Sequence, residues 1–165
     1  MAKSDTSATS FTPYPVPAFD LPSSDGGSVS DKDLKGHWNV LFFYPADNTP
    51  TCTKEACEFS EFSHEFKNLG ANLYGVSKDD LKDHGKFIAK YGLKMPLLSD
   101  ETTSTIDAFG SWGEKSLYGR KYMGTDRSTF VVDPQGQVRQ VWRKVRTNGH
   151  VAAVLQTLKT LMETP

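Results

Sequence analysis

An apolar run, Val40-Leu41-Phe42-Phe43-Tyr44, leads into a short loop and then into a helical pattern that carries both cysteines of the chain, Cys52 and Cys57. A continuous apolar run of this length reads as a buried, central strand. After the loop, Phe59, Phe62, Phe66 and Leu69 recur at helical spacing. A buried strand therefore ends, a loop turns, and a helix begins with a cysteine in its first turn. Thr49 stands at the N-cap, and Pro50 falls at the first helical position, where its missing N–H costs nothing. Cys52 then lies beside unpaired backbone N–H groups and the positive end of the helix dipole, both of which favour thiolate. Glu55, in the same turn, is placed to interact with that dipole. A free cysteine has a pKa of about 8.5, and helix position alone seldom lowers it far enough for a nucleophile. The pattern calls for a cation from elsewhere in the fold.

The second cysteine is informative by its phase. At about 100° per residue, Cys52 falls close to the face shared by Phe59, Phe62, Phe66 and Leu69, and Cys57 lies nearly opposite. In an intact helix, residues five apart have Cα atoms about 8.6 Å apart. A disulfide needs less than about 7 Å. If these two cysteines bond to each other, the first turns of the helix must unwind.

The rest of the chain supplies a frame for this unit. Pro13 to Pro17 is extended. Ala18 to Leu21 alternates like a short strand and, with the turn Ser24-Asp25-Gly26-Gly27, predicts an N-terminal hairpin. Ser30 caps one helical turn ending at Leu34. Gly70 stops the cysteine helix. Strands are expected over 71–77 and 95–98, and helices from Asp79-Asp80 to Gly92 and from Thr102 to Phe109. That β-α-β-α order implies parallel strands joined by right-handed crossovers. The stretch 110–126 reads as a glycine-spaced loop. A hairpin follows, 128–132 and 137–145 around Asp133-Pro134-Gln135-Gly136, and then a helix from near Asn148 with Val151, Val154, Leu155, Leu158 and Leu161 inward. A mixed sheet with flanking helices, in this order, suggests a thioredoxin-like α/β arrangement.

The 165 residues make one domain, 13–165, after a Ser/Thr/Ala-rich tail, 1–12, expected to be flexible. A formal net charge of −1 gives no electrostatic case for nucleic acid or an anionic membrane. No apolar run approaches the roughly 18 residues of a membrane span, and the tail lacks the apolar core of a secretory signal. The expected location is the cytoplasm, where a close cysteine pair is redox-active or catalytic rather than structural. The four histidines, His37, His64, His84 and His150, show no zinc spacing and are expected at the surface. Neither a metal nor another cofactor is implied.

Pro45, Thr49 and Cys52 match the Pro-x-x-x-Thr-x-x-Cys pattern of the peroxiredoxins, which this stretch resembles. The spacing Cys-Thr-Lys-Glu-Ala-Cys resembles the peroxiredoxin Q, or bacterioferritin-comigratory-protein, class. Trp112-Gly113-Glu114-Lys115, Tyr118-Gly119, Tyr122, Gly124 and Arg127-Ser128-Thr129-Phe130 match that class in order and spacing, followed by Asp133 and Gly136. The resemblance covers roughly residues 13 to 162. Thr51 departs from the pattern, since the class usually carries glycine there.

The resemblance implies a thioredoxin fold and a thioredoxin-dependent, atypical two-cysteine peroxidase acting in antioxidant defence. Cys52 would be the peroxidatic cysteine and Cys57 the resolving one, closing an intrachain disulfide. Thr49 would hold the peroxide, Pro45 would shield the thiolate, and Arg127 would be the required cation; these three form the substrate-binding set. Hydrogen peroxide and organic hydroperoxides are the implied substrates, and thioredoxin the implied reductant, with glutaredoxin as the alternative. The class implies a monomer. Two other functions fit a cysteine pair. A thiol–disulfide exchanger is disfavoured because such proteins use Cys-x-x-Cys, and a redox-controlled holdase would react slowly with peroxide and bind clients only when oxidised.

Overall fold

A computed structural model describes residues 11–163; the greater part of the expected tail, residues 1–10, lies outside them. In chain order the elements are β1 (Tyr14–Pro15), β2 (Asp20–Pro22), β3 (Ser28–Ser30), a 3-10 turn (Asp31–Leu34), β4 (Trp38–Phe43), α1 (Pro50–Glu61), α2 (Ser63–Asn68) and β5 (Ala71–Ser77). Then come α3 (Leu81–Tyr91), β6 (Leu97–Ser99), α4 (Ser104–Ala108), β7 (Trp112–Leu117), β8 (Arg120–Thr125), β9 (Ser128–Val132), β10 (Gln137–Trp142) and α5 (His150–Glu163).

Six strands form one mixed sheet in the order β1-β10-β9-β4-β5-β6. The apolar run of β4 occupies its middle, parallel to β5 and antiparallel to β9. Both faces of β4 are covered, as a continuous apolar strand requires. Val40 and Phe42 point to a core shared with Ala56, Phe59, Phe66, Phe87 and the inward side of α5. Leu41 and Phe43 point to the opposite core, with Leu21, Leu34, Ile106 and Phe109. Phe59 stacks on Phe42 with ring centroids 4.3 Å apart and planes 11° from parallel. This contact clamps α1 onto the central strand, and truncating such a buried aromatic typically costs about 3–5 kcal/mol.

Most expected elements are present, and the differences have physical causes. The cysteine helix is two helices rather than one. Phe62, with φ −95° and ψ 4°, leaves helical geometry between α1 and α2. The stretch 110–126 is not a loop. It is the β7–β8 hairpin, turned by Tyr118 (φ 52°) and Gly119 (φ 79°). Two successive positive-φ residues make the two-residue turn whose twist suits a hairpin. Its side chains are largely exposed, so the alternating apolar signal of a half-buried strand is missing. Two of the histidines are core groups rather than surface ones: His84 is 0% and His150 6% exposed. Both find polar partners inside the fold, which is what makes their burial tolerable. Among the described residues no helix is long and apolar enough to cross a membrane.

Candidate active site

Thr49 occupies the N-cap of α1 with extended backbone, and Pro50 is the first helical residue. The Thr49 side chain does not cap the helix, however. Its hydroxyl donates backward to the Ala46 carbonyl at 3.0 Å, so it folds over the loop instead. Thr51 is helical, and it is not among the described residues with positive φ, so its backbone does not need the glycine usual there.

Cys52 is 2% exposed and belongs to the core that α1 shares with β4. The cation the sequence called for arrives from the start of β9, beside β4 in the sheet. Arg127 Nη2 donates to Cys52 Sγ at 3.3 Å, and Arg127 Nη1 donates to Glu55 Oε1 at 2.7 Å. The guanidinium thus spans one helical turn, since Cys52 and Glu55 are three apart and share a face of α1. Burial pulls Arg127 downward, but Glu55 and Cys52 outweigh it and leave it above its ordinary value, fully cationic.

In the sequence Glu55 reads first as a partner for the helix dipole, ahead of a catalytic part. In the fold it is a fully buried carboxyl whose Oε2 has no hydrogen-bond partner among the described residues. Burial raises its pKa to about 7, against the pull of Arg127. Arg127 also acts electrostatically on His150, whose Nε2 shares a hydrogen bond of 2.8 Å with Thr129 Oγ1. Burial first, and Arg127 second, lower His150 to about 4, so at neutral pH it adds no charge.

Cys57 has a different setting. It is partly buried at the edge of the same core, and burial together with Glu61 pushes its thiol up. Both cysteines are free thiols. Pro45 and Arg127 line an open cleft of about 470 Å³ with Lys115, Tyr122, Asp126 and Lys144, so the β7–β8 hairpin forms one wall. Among the described residues no cluster of three or more His, Cys, Asp or Glu side chains could hold a metal ion.

A mixed thioredoxin-like sheet, carrying a buried thiol in the first turn of a helix and a partly buried cation in contact with it, defines a thiol-based redox enzyme. The chain belongs to the AhpC/TSA family, whose model matches residues 13–141. Peroxiredoxin Bcp of Xanthomonas campestris pv. campestris is 45% identical over 147 residues, covering 88% of this chain and 92% of its own. Peroxiredoxin Bcp of Bacillus subtilis is 44% identical over 148 residues, covering 90% and 94%. A solved structure of the Xanthomonas campestris bacterioferritin comigratory protein, from trapped intermediate/ligand complexes bearing on its alkyl peroxide reduction, superposes with a TM-score of 0.82 at 43% identity, covering 86% of this chain and 90% of that one. The fold and family expected from the sequence are those found.

Proposed function

We propose that this peroxidase reduces hydrogen peroxide and organic hydroperoxides at Cys52, and that Cys57 resolves the product within the same chain. The observation that carries the reading is the contact of Arg127 with both Cys52 and Glu55. The Cys52 sulfur attacks one peroxide oxygen, the S–O bond forms and the O–O bond breaks. The leaving oxygen takes a proton and departs as water or alcohol. Negative charge spreads over sulfur and two oxygens in the transition state, and the partly buried guanidinium is aimed at it before the reaction begins. The Thr49 hydroxyl gives its proton to Ala46, which leaves its lone pairs free to accept from the peroxide O–H. Pro45 walls the cleft beside Arg127, and its proposed part is to shield the sulfur. The alkyl peroxide activity of the Xanthomonas relative supports the organic substrates.

Cys52 is left as a sulfenic acid. The Cys57 sulfur then displaces its hydroxyl, an S–S bond forms and water leaves. Cys52 lies in the first turn of α1 and Cys57 in its middle, so this step requires local unwinding. A protein dithiol returns both thiols and is itself oxidised to a disulfide; thioredoxin is the proposed reductant, with glutaredoxin as the alternative. The unit acts as a monomer in the cytoplasm, a compartment that keeps both thiols reduced between turnovers.

The test is peptide mass mapping after one equivalent of hydrogen peroxide is added to fully reduced protein. A rapid loss of two hydrogens, mapped to a bridge between Cys52 and Cys57, is the expected result. Oxidation at Cys57 alone, or none within minutes, overturns the roles. Turnover with thioredoxin and an alkyl hydroperoxide is the second measurement.

A further inference from the structure

A second buried polar cluster lies on the other side of the active-site loop and takes no part in the chemistry above. His84, in the first turn of α3, is 0% exposed. Its Nε2 faces the Leu98 carbonyl at 3.0 Å, and a carbonyl only accepts, so Nε2 carries a hydrogen. Its Nδ1 lies 2.7 Å from Asp47 Oδ2, and one proton is shared across that contact. The other oxygen of Asp47 accepts from the Tyr44 hydroxyl at 2.6 Å. Burial first, and Asp47 second, hold that phenol well above its ordinary value, so it remains a donor. The Asp47 backbone N–H donates to Asp79 Oδ2 at 2.8 Å, and Asp79 is held in turn by the Ser77 hydroxyl at 2.6 Å.

The next residue is fastened as well. Asn48 takes a left-handed φ of 61°. Its Oδ1 accepts from the Tyr91 hydroxyl at 3.1 Å and lies 3.4 Å from Lys90 Nζ. Residues 47 and 48 are therefore tied to both ends of α3. Thr49, Pro50 and Thr51, which follow, are exposed. Within one residue the chain passes from this anchored pair to the helix start that must open.

We infer that His84 is a positioning residue: through Asp47 it fixes the entry to the thiol helix, holding Cys52 against Arg127 and setting the point at which unwinding stops. This rests on the peroxidase reading with its Cys52–Cys57 bridge. An anchor present in the folded arrangement and slack in the unwound one shifts the balance between them. Loss of the anchor favours unwinding, so peroxide reacts more slowly with Cys52 while the sulfenic acid is trapped faster by Cys57. The enzyme also becomes harder to over-oxidise.

Two substitutions separate anchoring from packing. Both leave a smaller side chain in the core. His84→Asn keeps an N–H where Nδ1 meets Asp47 and loses the Leu98 bond. His84→Gln keeps a donor toward Leu98 and loses the Asp47 bond. Rapid-quench mass spectrometry reads three quantities: Cys52 oxidation rate, bridge formation rate, and the peroxide concentration that leaves half the protein as sulfinic acid. In His84→Gln the first is expected to fall and the other two to rise, each by about fivefold or more, while His84→Asn stays within about twofold of wild type. Asn48→Gly suits the same left-handed backbone and does not disturb the core. It is expected to shift all three in the His84→Gln direction by about twofold, and it keeps the test open if the histidine variants do not fold. Equal shifts in the two histidine variants, or none in His84→Gln or Asn48→Gly, overturn the inference while leaving the peroxidase cycle standing. Wild-type protein that forms no Cys52–Cys57 bridge overturns both.

Discussion

Cys52 and Cys57 stand on one helix five residues apart, yet the fold treats them oppositely. Cys52 is 2% exposed and touches a guanidinium at 3.3 Å. Cys57 is partly exposed, and its charged neighbour is the carboxylate of Glu61, which with burial pushes its thiol up. One thiol is placed where negative charge is stabilised, the other where it is discouraged. This asymmetry suits the proposed roles, in which Cys52 reacts first and Cys57 waits. Unwinding of α1 would end the waiting, because it takes Cys57 out of its folded setting and toward Cys52.

The comparison can be broken at either cysteine. Cys52→Ser should abolish peroxide consumption, a loss of about a thousandfold or more in a stopped-flow assay, because no other group supplies the nucleophile. Arg127→Gln should come next, lowering the second-order rate with peroxide by about 100- to 1,000-fold, the scale for removing one preorganised donor from a developing anion. An Arg127→Gln rate near wild type would leave Cys52 with no cation that distinguishes it from Cys57. Cys57→Ser should keep the first turnover within about threefold of wild type and fail in steady state, accumulating sulfinic acid at Cys52. Normal steady-state turnover of that variant with a dithiol reductant would remove Cys57 from its resolving role.

Two smaller effects sharpen the electrostatic side of the contrast. Glu55 titrates near 7 in the fold and near 4.5 when unfolded. Its native state holds the proton more tightly, so its contribution to stability is complete below pH 4.5 and is lost as pH rises through 7. His150, lowered from 6.5 to about 4, acts with the opposite sign: its contribution is present above pH 6.5 and is lost as pH falls through 4. Glu55→Gln should flatten the decline between pH 4.5 and 7, a difference of about 3 kcal/mol across that window in denaturant titrations. An unchanged pH slope would show that Arg127 holds Glu55 ionised throughout. Least of all, Glu61→Gln should speed alkylation of Cys57 by about twofold and leave Cys52 untouched, the scale of one partly exposed charge.

The two halves of the Cys52 site were not equally legible. Thr49, Pro50 and Cys52 declare themselves because a helix start is a local event, decided by residues adjacent in sequence. Arg127 was placed by motif resemblance, but nothing in its own neighbourhood says that it faces a thiol 75 residues earlier. Glu55 reads as a dipole partner because its partner in the fold is 72 residues away. His84 reads as a surface histidine because it lies far in sequence from both cysteines and from the other histidines. Its burial comes from Asp47 and Leu98, which no helical periodicity connects to it. The β7–β8 hairpin was missed for the complementary reason: its strands are formed but not buried, so they leave no hydrophobic rhythm.

The sequence by itself determined the order of strands and helices outside the β7–β8 hairpin and the break at Phe62, the start of the thiol helix, and the five-residue spacing that forces unwinding if the cysteines bond. Those are consequences of backbone geometry, capping and short-range periodicity, which a chain carries wherever it folds. The tertiary structure alone decided which charge meets which sulfur. Sheet order sets β9 beside β4 and so delivers Arg127 to Cys52 and Glu55. The packing of α3 against β6 carries His84 to Leu98 and Asp47. Charge interactions inside a fold depend on distance and burial, and neither is a property of neighbouring residues in the chain.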